Sequence, residues 1–215
     1  MNLSSGKIRR IISVLSLVLF SVLLTCCEPP RFLIRFQDGS FPVSGYAGTG
    51  DTFISSISNN TYYGDQNYIN LGSTPTLEYR MLVKFDIAHY LPPAAEVKSA
   101  YLTLSSITGV SGTDIAVSIH PVTQDWIVSL APVWLNMNSS FSAAVADTVI
   151  ANPEDDVIQI ELPAGLVQSW LGNASGNHGI MLMLNPSSQN KTARFSSSEN
   201  AEPSYRPMLS VYYNM

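Results

Sequence analysis

The 215-residue chain has few of the residues that carry most protein chemistry. It contains 2 cysteines and 3 histidines, and its 13% of charged residues is about half the ~25% usual for globular domains. Both cysteines, Cys26 and Cys27, lie together near the amino terminus, and no other cysteine occurs in the chain. A disulfide framework in the rest of the chain is therefore excluded. The lack of a basic surplus argues against nucleic-acid binding, and the 46% of hydrophobic residues excludes disorder. The length suits one domain and a short extra segment.

The amino-terminal segment is typical of an export signal. Lys7, Arg9 and Arg10 precede an apolar run over residues 11–24, and a polar break follows. This run is shorter than the ~20 residues that cross a bilayer, so a permanent span is the weaker interpretation. Without these three basic residues, 8 basic residues oppose 16 acidic ones and the formal charge becomes −8. The remaining chain therefore has little long-range attraction to anionic surfaces.

The cysteines at the end of this segment resemble the acylated position of a bacterial lipoprotein signal. Residues 24–27, Leu-Thr-Cys-Cys, favour Cys27 over Cys26, while a plain secretory peptide stays the alternative. The pattern predicts an exported protein, extracellular or on the outer cell surface, with a lipid anchor to the membrane. The predicted organisation is a signal over residues 1–26, a tether over residues 27–47 and one domain over residues 48–215.

Short alternating segments rich in Val, Ile, Leu, Thr and Tyr dominate the domain. In residues 80–86, Met81, Val83 and Phe85 share one face, while Arg80 and Lys84 share the other. Such alternation predicts antiparallel strands with one buried face. The predicted strands cover residues 51–56, 67–72, 78–86, 97–107, 113–122, 157–162, 178–185, 192–197 and 207–213.

One segment has helical spacing instead. Residues 163–171 begin with a proline, and Leu166, Val167, Trp170 and Leu171 recur at the period of a helix. About nine strands and one short helix predict an all-β fold, an antiparallel β-sandwich of the jelly-roll type.

Eight motifs occur in an order that resembles the DNRLRE family, which is related to a repeat of archaeal disaggregatases. That family is grouped with polysaccharide-binding modules, some of them alginate-binding. The resemblance implies a jelly-roll sandwich that binds polysaccharide without cleaving it. The family's Val-Thr-Trp element has its nearest equivalent here in Pro-Val-Trp at residues 132–134. The motifs lie at residues 50–55, 60–64, 80–86, 97–104, 166–170, 177–180, 194–199 and 206–209.

Catalytic signals are scarce in the sequence. There is no His-Glu-x-x-His, no Gly-x-Ser-x-Gly and no phosphate-binding glycine loop. The acidic cluster at residues 154–156 is interpreted as a solvated loop, because adjacent carboxylates seldom face one glycosidic bond. We therefore predict no enzyme activity, with a polysaccharide lyase or hydrolase as a remote alternative.

A structural calcium site is one of two interpretations of two acidic residues. Asp51 and Glu199 could supply oxygen ligands to a calcium ion that clamps the loops. Alternatively, Asp51 caps a turn and Glu199 pairs with Arg194 or Arg206. The sequence favours neither, and no other cofactor is predicted.

Sugar binding needs exposed aromatic faces and polar groups that reach hydroxyls or carboxylates. Arg80 and Lys84, with Arg194, could neutralise a uronate polymer; pairing with Glu78 and Asp86 is the structural alternative. The predicted function is a polysaccharide- or cell-wall-glycan-binding module at the cell surface. The alternative is a structural or adhesive surface protein that binds protein partners. The predicted ligand-binding residues are Tyr62, Tyr63, Tyr68, Arg80, Lys84, Trp126 and Trp134.

Overall fold

A computed structural model describes residues 31–107, 114–150 and 157–215. Within these residues, eleven strands and two α-helices are joined by loops and short 3-10 turns. The strands are β1 (Phe32–Phe36), β2 (Thr49–Ser55), β3 (Tyr68–Thr74), β4 (Leu77–Phe85), β5 (Glu96–Ser105), β6 (Ile115–Pro121), β7 (Ala146–Ile150), β8 (Val157–Leu162), β9 (Ile180–Leu184), β10 (Lys191–Ser196) and β11 (Met208–Asn214). The helices are α1 (Trp134–Met137) and α2 (Ala164–Gly172).

The strands form two antiparallel sheets. One has the order β1-β11-β5-β8, and the other has the order β10-β3-β4-β9-β6-β7, with β2 paired to β4. Ala100, Leu102 and Leu104 of β5 point inward, as Met81, Val83 and Phe85 of β4 do. The apolar faces of both sheets therefore meet in one core, and this arrangement confirms the predicted all-β antiparallel sandwich.

A second, smaller apolar cluster lies on the outer face of the larger sheet. Ile54, Leu82 and Met181 point outward there and pack under the loop over residues 122–142, which includes α1. This loop contributes Trp126 and Met137 to the cluster. Part of the outer sheet face is therefore covered, and this covering decides which side chains of β4 reach solvent.

The nine predicted strands and the predicted helix all form, with ends within a few residues of the expected ones. Two strands, β1 and β7, were not predicted. Strand β1 lies inside the predicted tether over residues 27–47, but it pairs with β11 along its whole length. The compact unit that contains β1 spans Phe32–Met215, while the domain boundary at residue 48 stays a prediction.

The Asn-His-Gly motif at residues 177–179 is needed for the approach of β9 to β4. Gly179 has a φ of +74°, and a Cβ atom there would overlap the carbonyl oxygen of Val83. The buried Asn177 side chain donates to the carbonyl of Phe85 at 2.7 Å and accepts from the amide of Gly179. Glycine is therefore required at this position.

Among the residues that the structure describes, no helix is both long and apolar enough to cross a membrane.

Candidate functional site

The loop after β2 and the two following strands place three tyrosines around Phe53. Tyr63 stacks on the Phe53 ring with 4.2 Å between centroids, and Tyr68 lies at 5.8 Å. Tyr79 meets the same ring edge-on at 5.5 Å. All three tyrosines are half-buried, so part of each ring reaches the surface. Burial raises the pKa of Tyr79, and its hydroxyl group stays a hydrogen-bond donor over a wide pH range.

Arg194 of β10 extends this group into solvent. Its Nε donates to Oδ1 of Asn70 at 3.0 Å, and its guanidinium carbon lies 4.3 Å from the centroid of Tyr68. Among the described residues, the two terminal nitrogens of Arg194 make no hydrogen bond. They are therefore available to a ligand that lies on the tyrosines. We call Phe53, Tyr63, Tyr68, Tyr79 and Arg194 the aromatic cluster.

The loop that carries Tyr63 is fixed from two sides. The hydroxyl of Ser197 donates to the carbonyl of Gln66 at 2.6 Å, and the hydroxyl of Tyr62 donates to Asp65 at 3.3 Å. Burial, reinforced by the charge of Asp65, raises the pKa of Tyr62 to about 12. The predicted residues Tyr62, Tyr63 and Tyr68 thus lie together at one edge of the sandwich.

Arg80 shares a face of β4 with Lys84, as predicted, but its guanidinium is already occupied. It contacts Glu78 at 2.8 Å and donates to the carbonyl of Asn138 at 2.6 Å. The rings of Trp134 and Phe141 lie 4.5 Å and 5.4 Å from it, and only 13% of its side chain is exposed. Arg80 is therefore corrected to a residue that fastens the loop over residues 122–142, in line with the alternative pairing to Glu78.

The two predicted tryptophans belong to the same covered region. Trp126 is 3% exposed, and its indole nitrogen donates to the carbonyl of His178 at 2.8 Å. It has no free ring face for stacking, so its prediction as a sugar platform is corrected to a core role. Trp134 is partly exposed, but its ring packs on Arg80.

Lys84 lies in a groove of about 390 Å³ at the end of β4. Its ammonium group contacts Oδ1 of Asp125 at 3.1 Å, and the hydrogen bond from Lys84 lowers the pKa of Asp125. The ring nitrogen Nδ1 of His178 is 3.5 Å from the same oxygen. We call this pocket the Lys84 groove; it is lined by Ala47, Gly48, Thr49, Gly50, Lys84, Asp86, Trp126, Ile127 and Val128.

The predicted calcium ligands differ in burial. Asp51 is 1% exposed; its Oδ2 accepts the amide of Ser198 at 2.8 Å, and its Oδ1 has no partner among the described residues. Glu199 is exposed. The described residues contain no group of three or more His, Cys, Asp or Glu side chains able to hold a metal ion. One buried carboxylate oxygen suits calcium, but the described part of the chain holds no full carboxylate ligand set around it, and the calcium site stays a prediction.

Three predictions fall on residues outside the described ones. They are the export signal, the acylation of Cys27 or Cys26, and the solvated loop at residues 154–156.

Tyr79 and Asn70 were not predicted from the sequence. Arg194 was predicted only as a cation that assists Arg80 and Lys84. All three lie in strands, where the alternation of apolar and polar residues predicts the face of the sheet on which a side chain lies. It does not predict which residues of other strands lie beside that side chain. Their proximity depends on the pairing of β3 with β10 and with β4, in which Asn70 opposes Arg194 and Gly72 opposes Tyr79. To predict this pairing, one would need to know which distant segments of the chain contact each other. A single sequence does not supply that information.

An antiparallel sandwich with surface tyrosines and an exposed guanidinium group has the features of a module that binds a polar ligand with apolar faces. The model of carbohydrate-binding module family 96 matches residues 42–212, and the chain belongs to this family. The predicted class, a carbohydrate-binding module, is thereby confirmed. No curated protein matches the chain.

Proposed function

We propose that this module binds a polysaccharide outside the cytoplasm without cleaving it, and that the aromatic cluster is its contact surface. The cluster itself carries the proposal. Exposed parts of tyrosine rings suit the C–H surfaces of pyranose rings, while Arg194 can donate charge-assisted hydrogen bonds to hydroxyls or carboxylates. The DNRLRE-like order of motifs supports the same function.

Affinity electrophoresis of the full chain through gels with embedded polysaccharides tests this function. Arg194→Gln removes the charge from an exposed side chain, and we expect its dissociation constant to rise at least ten-fold, about 1.4 kcal/mol. Tyr205→Ala is the matched control, because Tyr205 is exposed on the turn at Pro203–Tyr205, outside the cluster. Equal retardation of both variants would place the contact surface elsewhere.

Attachment to the cell surface is a further part of the proposal. It is supported by the basic and apolar residues before Cys26 and Cys27. Metabolic labelling of the expressing cells with a radioactive fatty acid should label the wild-type protein and Cys26→Ser, but not Cys27→Ser. Label retained in Cys27→Ser and lost in Cys26→Ser would assign the anchor to Cys26. A label-free wild-type protein would contradict the anchor.

A protein-binding role is favoured by one observation. Leu130 and Leu135 in the loop over residues 122–142 are 70% and 65% exposed, and the nearby Ile57 is 64% exposed. The amide of Leu135 donates to the carbonyl of Asn59, which places Leu135 beside the segment that carries Ile57. Exposed apolar groups of this kind mark protein contacts. A Leu130→Ser, Leu135→Ser variant that loses cell adhesion but keeps polysaccharide binding would support this role.

A further inference from the structure

The Lys84 groove is separate from the aromatic cluster. Lys84 and Tyr79 are five residues apart on β4, which corresponds to about 17 Å of strand and places them on opposite faces. Strand β2 shows the same separation, because Gly50 opposes Lys84 and Ser55 opposes Tyr79. One sugar residue therefore cannot contact both.

The groove has the size and rigidity of a small-molecule site. Its volume of about 390 Å³ lies within the ~300–1,000 Å³ of ligand pockets. One wall is the buried Trp126, fixed by its bond to His178. The opposite wall is backbone fixed by the bond from the amide of Asp86 to the carbonyl of Gly48 at 2.8 Å. The site is thus preformed.

The polar groups of the groove match a pair of neighbouring hydroxyls. Lys84 of the lining donates to Asp125, which lies beside the groove and precedes the lining residue Trp126, with 3.1 Å between the two atoms. Adjacent hydroxyls on a pyranose each donate and accept, so one can bind each member of the ion pair. The exposed side chain of Ile127 and the adjacent Val128 offer an apolar wall for the C–H side of the ring.

The charge of the groove selects against acidic sugars. Lys84 and Asp86 line the groove, and Asp125 beside it adds a second carboxylate. His89 contacts Asp86 at 3.1 Å, and His178 contacts Asp125 at 3.5 Å. With the histidines neutral, the groove carries one excess negative charge, which opposes a carboxylate or sulfate. Arg194 gives the aromatic cluster the opposite preference.

We propose that the Lys84 groove is a second saccharide site, which takes a neutral sugar residue with two adjacent free hydroxyls. The proposal rests on the proposed function, because it assigns a second site of different charge preference to the same module. A module with two such sites can bridge two glycan chains, or two regions of one chain that contains both neutral and acidic sugars. Avidity then strengthens its attachment.

Two variants test the groove by different means. Gly50→Val introduces a side chain between Lys84 and Trp126, where the new Cβ atom would lie 3.8 Å from the indole, an ordinary contact. Asp125→Ala removes the acceptor from a side chain that is 67% exposed, so folding does not depend on it. Tyr205→Ala is again the control.

The probes are cellohexaose as the neutral ligand and an oligoguluronate hexamer as the acidic ligand. They are titrated calorimetrically into the full chain, kept in a detergent without a sugar headgroup. We expect each groove variant to lose at least ten-fold in affinity for the neutral probe, with acidic binding within two-fold of wild type.

The outcomes separate this proposal from the proposed function. If both groove variants bind the neutral probe with unchanged affinity, the Lys84 groove is not a saccharide site, and the proposed function stays intact. If both groove variants lose affinity for the acidic probe, the proposed preference of the groove for neutral sugars is overturned. A folded wild-type chain that binds neither these probes nor any polysaccharide overturns the proposed function and this proposal with it.

Discussion

At the scale of single residues, the carboxyl group of Asp51 is strongly perturbed. Burial raises its pKa to about 7, against the opposing hydrogen bond from the amide of Ser198. Burial also raises the pKa of Asp38, whose charge adds to the rise at Asp51. The fold therefore favours the protonated form of Asp51 and becomes less stable when that proton leaves.

The stability of the domain should fall as the pH rises from about 4 to about 7. The folded-state pKa lies above the ordinary value of 3.8, so the contribution of Asp51 is fully present below pH 4 and lost above pH 7. It amounts to up to about 4 kcal/mol. Urea unfolding at pH 5 and pH 8 should show about 3 kcal/mol of this loss in the wild type and in Asp65→Asn, but a smaller loss in Asp51→Asn. Equal losses in all three proteins would refute the assignment.

Calcium would reverse this dependence if it binds Asp51, which is one of the two interpretations of the sequence. A bound cation favours the ionised carboxylate and so stabilises the fold most at high pH. Millimolar calcium should then raise the melting temperature more at pH 8 than at pH 5, and not at all in Asp51→Asn. An unchanged melting temperature in the wild type would remove calcium from the account.

At the scale of elements, the loop over residues 122–142 decides which cations of β4 meet solvent. It covers Arg80 with Trp134 and Phe141 and leaves Lys84 at its margin. We expect Arg80→Met to lower the free energy of unfolding by about 2 kcal/mol, because Glu78 and the carbonyl of Asn138 lose a charged partner.

Polysaccharide affinity should stay within two-fold of wild type in Arg80→Met. The matched control is Lys98→Met, which breaks a half-exposed ion pair with Glu96 and should cost about 0–1 kcal/mol. A large loss of affinity at unchanged stability would instead restore Arg80 as a sugar contact.

The strands with regular alternation were predictable, because burial of one face requires it. Strand β4, with Met81, Val83 and Phe85 inside, is an example. Strand β1 was not predicted because its first two residues, Phe32 and Leu33, are both apolar and both exposed. They break the alternation of apolar and polar residues that indicates a strand. The roles of Arg80 and Arg194 were not predictable for a different reason: each depends on a distant segment that covers or flanks it.

At the scale of the whole molecule, β5 separates Phe32 and Asn214 from the aromatic cluster. Its first residues pair with Tyr213 and Asn214 of β11, and Tyr213 also pairs with Phe32. Just beyond its last residue, Ser106 bridges to Phe195, next to Arg194. Ten residues of strand correspond to about 30 Å. Phe32 and Asn214 thus lie at the end of the domain that is remote from the cluster.

Immobilisation of the full chain tests this arrangement. Attachment through a tag after Met215 should leave polysaccharide affinity within two-fold of its solution value, because Asn214 lies at the end remote from the cluster. Attachment through a single biotinylated cysteine at Asp65→Cys, in a chain whose Cys26 and Cys27 are replaced by serine, should abolish binding. The reverse pattern would contradict the arrangement.

Polysaccharide that lies on the aromatic cluster should shift the ring resonances of the cluster tyrosines, and these can be followed among the chain's 10 tyrosines. Tyrosine-labelled full chain is titrated with an oligosaccharide from a polysaccharide that retards it. We expect shifts at Tyr63, Tyr68 and Tyr79, and none at Tyr101 and Tyr212, which contact each other on the outer face of the other sheet. Shifts at Tyr101 and Tyr212, with the cluster tyrosines unmoved, would contradict this expectation.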